Sequence, residues 1–193
     1  MKIVGLSGSL RRQSFNTGLL DAAAREMPEG SELTIETIRG IPLYDADIEE
    51  GVGIPARVVE LKEALVRADG IILATPEYNH SMPGVFKNAI DWLSRPPADI
   101  KKVFGGKAVA LMGATPGGFG TVLAQEAWLP VLRTLGTQPW FGGRLIVSRA
   151  AGLFDARGTL TDDATRQQIR TFIQGFVAWA GGFRRNAEER GRV

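Results

Sequence analysis

Three segments of the chain concentrate groups able to hold a ligand, and each follows an apolar run. The first reads Ser7-Gly8-Ser9-Leu10-Arg11-Arg12-Gln13-Ser14-Phe15-Asn16 and leads into a helical pattern. Gly8 permits a tight turn, the three serine hydroxyls and an amide can hydrogen-bond, and Arg11 or Arg12 adds charge. A helix N-terminus just beyond presents oriented N–H groups, so the chemistry is that of phosphate binding. The Gly-x-x-x-x-Gly-Lys-Ser/Thr pattern of a P-loop and the Gly-x-Gly-x-x-Gly of a dinucleotide fingerprint are both absent. Gly5-Leu6-Ser7-Gly8-Ser9 lacks the final glycine of a nucleophile elbow. Read plainly, the same segment is a polar turn in which Ser14 or Asn16 caps a helix.

The second segment, Thr75-Pro76-Glu77-Tyr78-Asn79-His80-Ser81-Met82-Pro83-Gly84, is stiffened by two prolines. A rigid backbone edge with a tyrosine beside it suits a flat heteroaromatic ring, because peptide groups read ring heteroatoms while side chains pack on a face. The plain alternative is a strand-to-helix connection with Pro83 in the first helical turn. His80 is a candidate contact to substrate or flavin, although a lone histidine beside a turn is more often a hydrogen-bonded structural or solvent residue. The third segment, Gly113-Ala114-Thr115-Pro116-Gly117-Gly118-Phe119-Gly120-Thr121, is glycine-rich at the matching place and lets a ligand approach the backbone. Gly118-Phe119-Gly120 opens like a dinucleotide motif, but Leu123 takes the third glycine position.

The elements that must position these loops follow from hydrophobic periodicity. Ile3–Leu6, Ile71–Thr75 and Ala108–Met112 are continuous apolar runs, the habit of parallel strands buried on both faces. Glu32–Glu36 alternates and predicts an edge strand, and a fifth strand is expected within Gln138–Val147, where Pro139 and Gly142-Gly143 interrupt the pattern. Leu19, Ala23 and Met27 mark one helix ending at Pro28; Val58, Leu61, Leu65 and Ala68 mark a second after Pro55. Further helices are predicted from Pro83 to Arg95, from Thr121 to Leu135 with a bend at Pro130, and after Thr161-Asp162-Asp163. Alternating β and α elements give a doubly wound three-layer α/β/α sandwich with a parallel sheet. Ligands in such folds bind beyond the carboxyl ends of the strands, where the three loops lie.

Composition narrows the chemistry further. The 193 residues include no cysteine and one histidine, which removes disulfides, thiol nucleophiles and multi-histidine metal sites. No metal site is expected: the acidic cluster of Asp45, Asp47, Glu49 and Glu50 reads as a solvated loop. Arg184, Arg185, Arg190 and Arg192 against Glu188 and Glu189 carry the net charge of +2, so residues 1–183 are balanced and offer no nucleic-acid face. We expect one domain over 1–183, a basic, mobile tail over 184–193, no membrane association and a cytoplasmic location. Lys87 and Asp91 are spaced for an i,i+4 pair, Trp92 reads as core or subunit contact, and Arg95, Trp128 and Trp140 as candidate interface residues.

Gly8-Ser9-Leu10-Arg11-x-x-Ser14-x-Asn16, together with Pro76-Glu77-Tyr78-Asn79-His80-Ser81-Met82-Pro83-Gly84-x-x-Lys87-Asn88-Ala89-Ile90-Asp91-Trp92, resembles the NADPH-dependent FMN reductase family of the flavodoxin-like superfamily, which includes quinone and chromate reductases. The resemblance extends, less sharply, from Lys2 to Gly182. It implies a flavodoxin-like sheet of order 2-1-3-4-5 and FMN as cofactor, with NADPH or NADH as donor and a quinone or similar small molecule as acceptor. It implies that Ser9, Arg11, Ser14 and Asn16 hold the FMN phosphate, with Phe15 also in the cofactor site. Pro76, Glu77, Tyr78 and Asn79 would line the isoalloxazine, and Thr115, Gly117 and Gly118 would close its other side. A homodimer or homotetramer is implied as well. Because the flavin carries the redox chemistry, no catalytic side chain is required. The alternatives are a flavodoxin-type electron carrier without its own substrate, which the lack of a net acidic surface disfavours, and a phosphate-ligand module that keeps the fold without the chemistry.

Overall fold

The computed structural model describes the backbone of residues 1–190 and the side chains of residues 1–183. The elements in order are β1 (Lys2–Ser7), α1 (Phe15–Arg25), β2 (Glu32–Thr37), α2 (Ala46–Gly51), α3 (Ala56–Arg67), β3 (Gly70–Ala74) and α4 (Gly84–Leu93). They continue with α5 (Ile100–Val103), β4 (Ala108–Ala114), α6 (Val122–Thr134), β5 (Gln138–Pro139), β6 (Leu145–Val147) and α7 (Asp163–Arg190). All strand pairs are parallel, in the order β2-β1-β3-β4-β5, with β6 pairing further along β4. This is the expected doubly wound sandwich.

Burial separates the strands as their sequences require. Every residue of β3 is buried, whereas β2 is partly exposed along its length and forms the sheet edge. One core layer packs α1 and α7 on the sheet through Leu19, Leu20, Ile169, Phe172 and Phe176. The other packs α3, α4 and α6 through Leu61, Leu65, Phe86, Trp92 and Trp128. The Phe86 and Trp128 rings meet edge to face at 4.9 Å, a contact worth about 1 kcal/mol beyond burial.

Several expectations change form. The single strand expected within Gln138–Val147 is two short ones, because Pro139 ends the first and Gly142-Gly143 let the chain turn away. The Trp140 indole then folds over Gly142, Gly143 and Gly175, where any added Cβ would lie within about 3 Å of the ring. Trp128 is fully buried in the core, not at an interface. Arg95 donates to Glu49 Oε2 at 2.7 Å, and Asp45 caps α2 by accepting from the Asp47 N–H, so the acidic segment is helical. The Lys87–Asp91 pair forms at 2.7 Å. The tail expected over 184–193 overlaps α7, which runs to Arg190; the tail's side chains and residues 191–193 lie outside the described residues. Among the described residues, no helix is long and apolar enough to cross a membrane.

Candidate functional site

The register of the sheet brings the three loops to one edge. Ser7 pairs with Ala74 across β1 and β3, and Ala74 with Met112 across β3 and β4, so the segments that follow leave the sheet side by side. Gly8 continues the ladder by donating to Ala74 O at 2.9 Å, and Thr75 donates to Met112 O at 2.8 Å. Close packing beneath the loops explains the small residues there. A Cβ on Gly8 would lie 2.1 Å from the Phe86 ring. One on Gly113 would lie 2.3 Å from both Thr121 Oγ1 and the Thr75 carbonyl.

The first loop carries a set of unpaired backbone donors above the start of α1. Ser14 caps α1, its buried hydroxyl accepting from the Asn16 and Thr17 N–H groups. Ser9 is 8% exposed and accepts from the Arg11 N–H, and the Leu10 carbonyl accepts from Arg39. The backbone N–H groups of Ser9, Leu10, Arg12 and Gln13 have no acceptor among the described residues. Exposed Arg11 lies over the Phe15 ring at 5.4 Å. Asn16, expected to contact a phosphate, is 3% exposed, and its amide is engaged elsewhere: it donates to the Ala114 carbonyl and accepts from the Ala114 N–H. The amide therefore braces the first loop against the third.

The second loop projects a tight hairpin. Tyr78 and Ser81 exchange backbone hydrogen bonds of 3.0 Å each way, and the two residues between them are left-handed, Asn79 at φ 50° and His80 at φ 62°. Two consecutive positive φ values define a type I′ turn, a conformation uncommon outside glycine but one that asparagine and histidine adopt more often than most residues. Tyr78, Asn79 and His80 are exposed at the tip. Pro76 and Glu77 lie below them, Pro76 buried and the Glu77 side chain 8% exposed. Glu77 Oε2 accepts from the Ala124 N–H at 3.0 Å in the first turn of α6, where the helix dipole favours negative charge. Glu77 Oε1 faces His80 Nδ1 at 3.7 Å.

The third loop is anchored at its start and open at its crest. Thr115 and Gly117 are tied to the chain after β6 through Thr115 N–H to Val147 O, Ala150 N–H to Thr115 O and Arg149 N–H to Gly117 O. Arg149 adopts φ 49° to make the last bond. Gly117 and Gly118 are exposed, and Phe119 beside them is 80% exposed. The structure thus brings all three groups of predicted residues to one mouth. Sequence reasoning missed the long-range supports, including the Trp128 indole N–H bond to Thr75 Oγ1 and the Gln125 amide bond to Leu145 O. Neither leaves a local pattern.

The arrangement sets unpaired backbone donors at one end and a rigid backbone edge at the other, and among the described residues of the three loops no nucleophile is hydrogen-bonded to a base. Residues 1–152 match the family model described as NADPH-dependent FMN reductase. The chain is 41% identical over 179 residues to an NAD(P)H-dependent FMN reductase of Pseudomonas aeruginosa, covering 93% of this chain and 95% of that protein. It is 37% identical over 185 residues to a 2-hydroxy-1,4-benzoquinone reductase of a Burkholderia species, covering 93% and 96%. Among solved structures, the flavoenzyme NAD(P)H:(acceptor) oxidoreductase FerB of Paracoccus denitrificans shares 31% identity at a TM-score of 0.82, over 94% of this chain and 98% of that one.

Proposed function

The chain belongs to the NADPH-dependent FMN reductase family, and from that premise we propose a flavin site at the three-loop mouth with a quinone as acceptor. The protein is an FMN-dependent NAD(P)H oxidoreductase. The observation that carries the site is the set of backbone N–H groups of Ser9, Leu10, Arg12 and Gln13 without acceptors among the described residues, in the loop that leads into α1. Unsatisfied donors, a helix terminus and the Arg11 guanidinium fit a phosphate dianion.

In this reading Ser9, Arg11, Ser14 and Phe15 hold the phosphate end, and Asn16 keeps their loop in place from behind. Pro76, Glu77, Tyr78 and Asn79 form one edge for the ring system; Thr115, Gly117 and Gly118 form the other. Bound FMN supplies the two-electron chemistry. The chain binds and orients, and its single mouth admits nicotinamide and acceptor in turn, which predicts ping-pong kinetics. The electron-carrier alternative gives way to the reductase activity of the family. Support for a quinone comes from the benzoquinone reductase relative. Exposed Tyr78, Phe119 and Leu123 near the mouth give apolar surface for a flat acceptor or for a second subunit, in keeping with a homodimer or homotetramer. A nicotinamide-dependent, cysteine-free protein suits the cytoplasm.

The test is an anaerobic absorbance spectrum after FMN loading and gel filtration, before and after stoichiometric NADPH. The expected result is a retained flavin band that bleaches with NADPH and returns on addition of a benzoquinone. A retained band that bleaches but is not restored by any quinone overturns the acceptor assignment. No retained band overturns the proposed site.

A further inference from the structure

Reduction of a quinone to a hydroquinone requires two electrons and two hydrogens. A hydride equivalent, supplied ultimately by NAD(P)H, brings both electrons and one hydrogen. The second hydrogen arrives as a proton on the anionic phenolate oxygen. We propose that His80 donates this proton and that Glu77 is the positioning residue that holds its imidazole at the mouth; the inference rests on the quinone reading above. The proton leaves His80 Nε2 for the phenolate oxygen, yielding hydroquinone and neutral imidazole, which regains a proton from water.

Four observations carry it. His80 is the chain's one imidazole, the side chain whose ordinary titration range lies at neutral pH. Its side chain is 73% exposed at the tip of the second loop, and the arginines at the neighbouring loops, Arg11, Arg12, Arg39 and Arg149, do not release protons. Its backbone is held left-handed at φ 62° by the Tyr78–Ser81 hairpin bonds, which fixes where the side chain leaves the loop tip. Finally, the carboxylate facing its Nδ1 is itself fixed. Glu77 is 8% exposed, its second oxygen is bound by the Ala124 N–H, and it is the ionisable side chain paired with His80 among the described residues. With Nδ1 turned toward Glu77 at 3.7 Å, Nε2, which has no hydrogen-bond partner among the described residues, is directed away from the carboxylate.

Two acceptors tested on the holoenzyme separate proton delivery from every other role, because ferricyanide takes electrons without protons. For His80→Gln we expect kcat/KM with a benzoquinone to fall roughly tenfold to a hundredfold, below the full range for general acids because water reaches this exposed site. Ferricyanide reduction should stay within about twofold. Glu77→Gln also alters the edge that lines the ring, so both activities should fall, the quinone activity by the larger factor. Independently of turnover, the single imidazole C2 proton resonance of the oxidised holoenzyme should move when hydroquinone is added. Equal losses with both acceptors, no loss in His80→Gln, or an unmoved resonance each overturn the proposal. A wild-type enzyme that reduces ferricyanide but no quinone overturns the quinone reading instead, and this inference with it.

Discussion

The side-chain amide of Asn16 and the backbone of Ala114 exchange two hydrogen bonds of 2.9 Å, across 98 positions of sequence. This buried clamp joins the start of α1 to the end of β4 and so sets the spacing between the phosphate loop and the glycine-rich loop. Asn16→Ala strips partners from a buried N–H and a buried C=O, each costing about 1–3 kcal/mol. A total near 3 kcal/mol should lower Tm by about 6–12 °C in a chain of this size, read by thermal unfolding. Aspartate should not restore it, because a carboxylate cannot donate to the Ala114 carbonyl.

Arg11 makes no ion pair among the described residues and lies over Phe15 beside the free N–H row. Arg11→Ala should weaken FMN binding by about tenfold to a hundredfold, the range of a charge-assisted contact. Fluorescence titration of the apoprotein measures this. At saturating FMN the rate of reduction by NADPH should change by less than about twofold, since Arg11 grips the end remote from the reacting ring.

Gly113 has no room for a side chain, and one of the atoms in the way is the Thr75 carbonyl of the neighbouring strand end. Gly113→Ala should cost about 2–3 kcal/mol by overpacking. Urea denaturation should show a lower midpoint with an unchanged slope, since the unfolded chain is scarcely altered.

The turn at Asn79-His80 separates stability from function. A left-handed non-glycine residue costs about 1–2 kcal/mol, and glycine returns about 0.5–1 kcal/mol of that as entropy lost on folding. His80→Gly should therefore leave stability unchanged or raise it by up to about 1.5 kcal/mol in urea titrations. Quinone reduction by the same variant should fall as for His80→Gln.

Acid stability should depend on a tie between α1 and α7. The Arg170 guanidinium donates to Glu26 Oε2 at 2.6 Å and, through that hydrogen bond first and its charge second, holds the Glu26 carboxyl below the ordinary value of 4.5. A carboxyl lowered in the folded state stabilises fully above its unfolded value and loses that stabilisation as pH falls through the folded value. Glu26→Gln should therefore be less stable than wild type at neutral pH and converge with it as pH drops below about 4.5. Urea midpoints measured across pH read this directly.

Much of the fold was legible because its causes are local. β1, β3 and β4 announce themselves as continuous apolar runs, and each of the three loops carries its turn chemistry in adjacent residues, Gly8 and Ser14 in the first, Pro76 and Pro83 in the second, Gly117-Gly118 in the third. The end of the sheet at which they gather follows from parallel topology. The break between β5 and β6 was less legible: Pro139 and Gly142-Gly143 hinted at it, but its cause includes Trp140 lying against Gly175 on α7.

Sequence by itself determined the order of elements, the three ligand loops and the kind of ligand they suit, because residue type and spacing act over a few positions. Only the tertiary structure decided what each polar group does. Asn16 and Glu77 both sit in ligand loops, yet one amide is spent on Ala114 and one carboxylate accepts from Ala124. Those partners lie 98 and 47 positions away, and what chooses them is the requirement that buried donors and acceptors be paired, which the assembled molecule alone can satisfy.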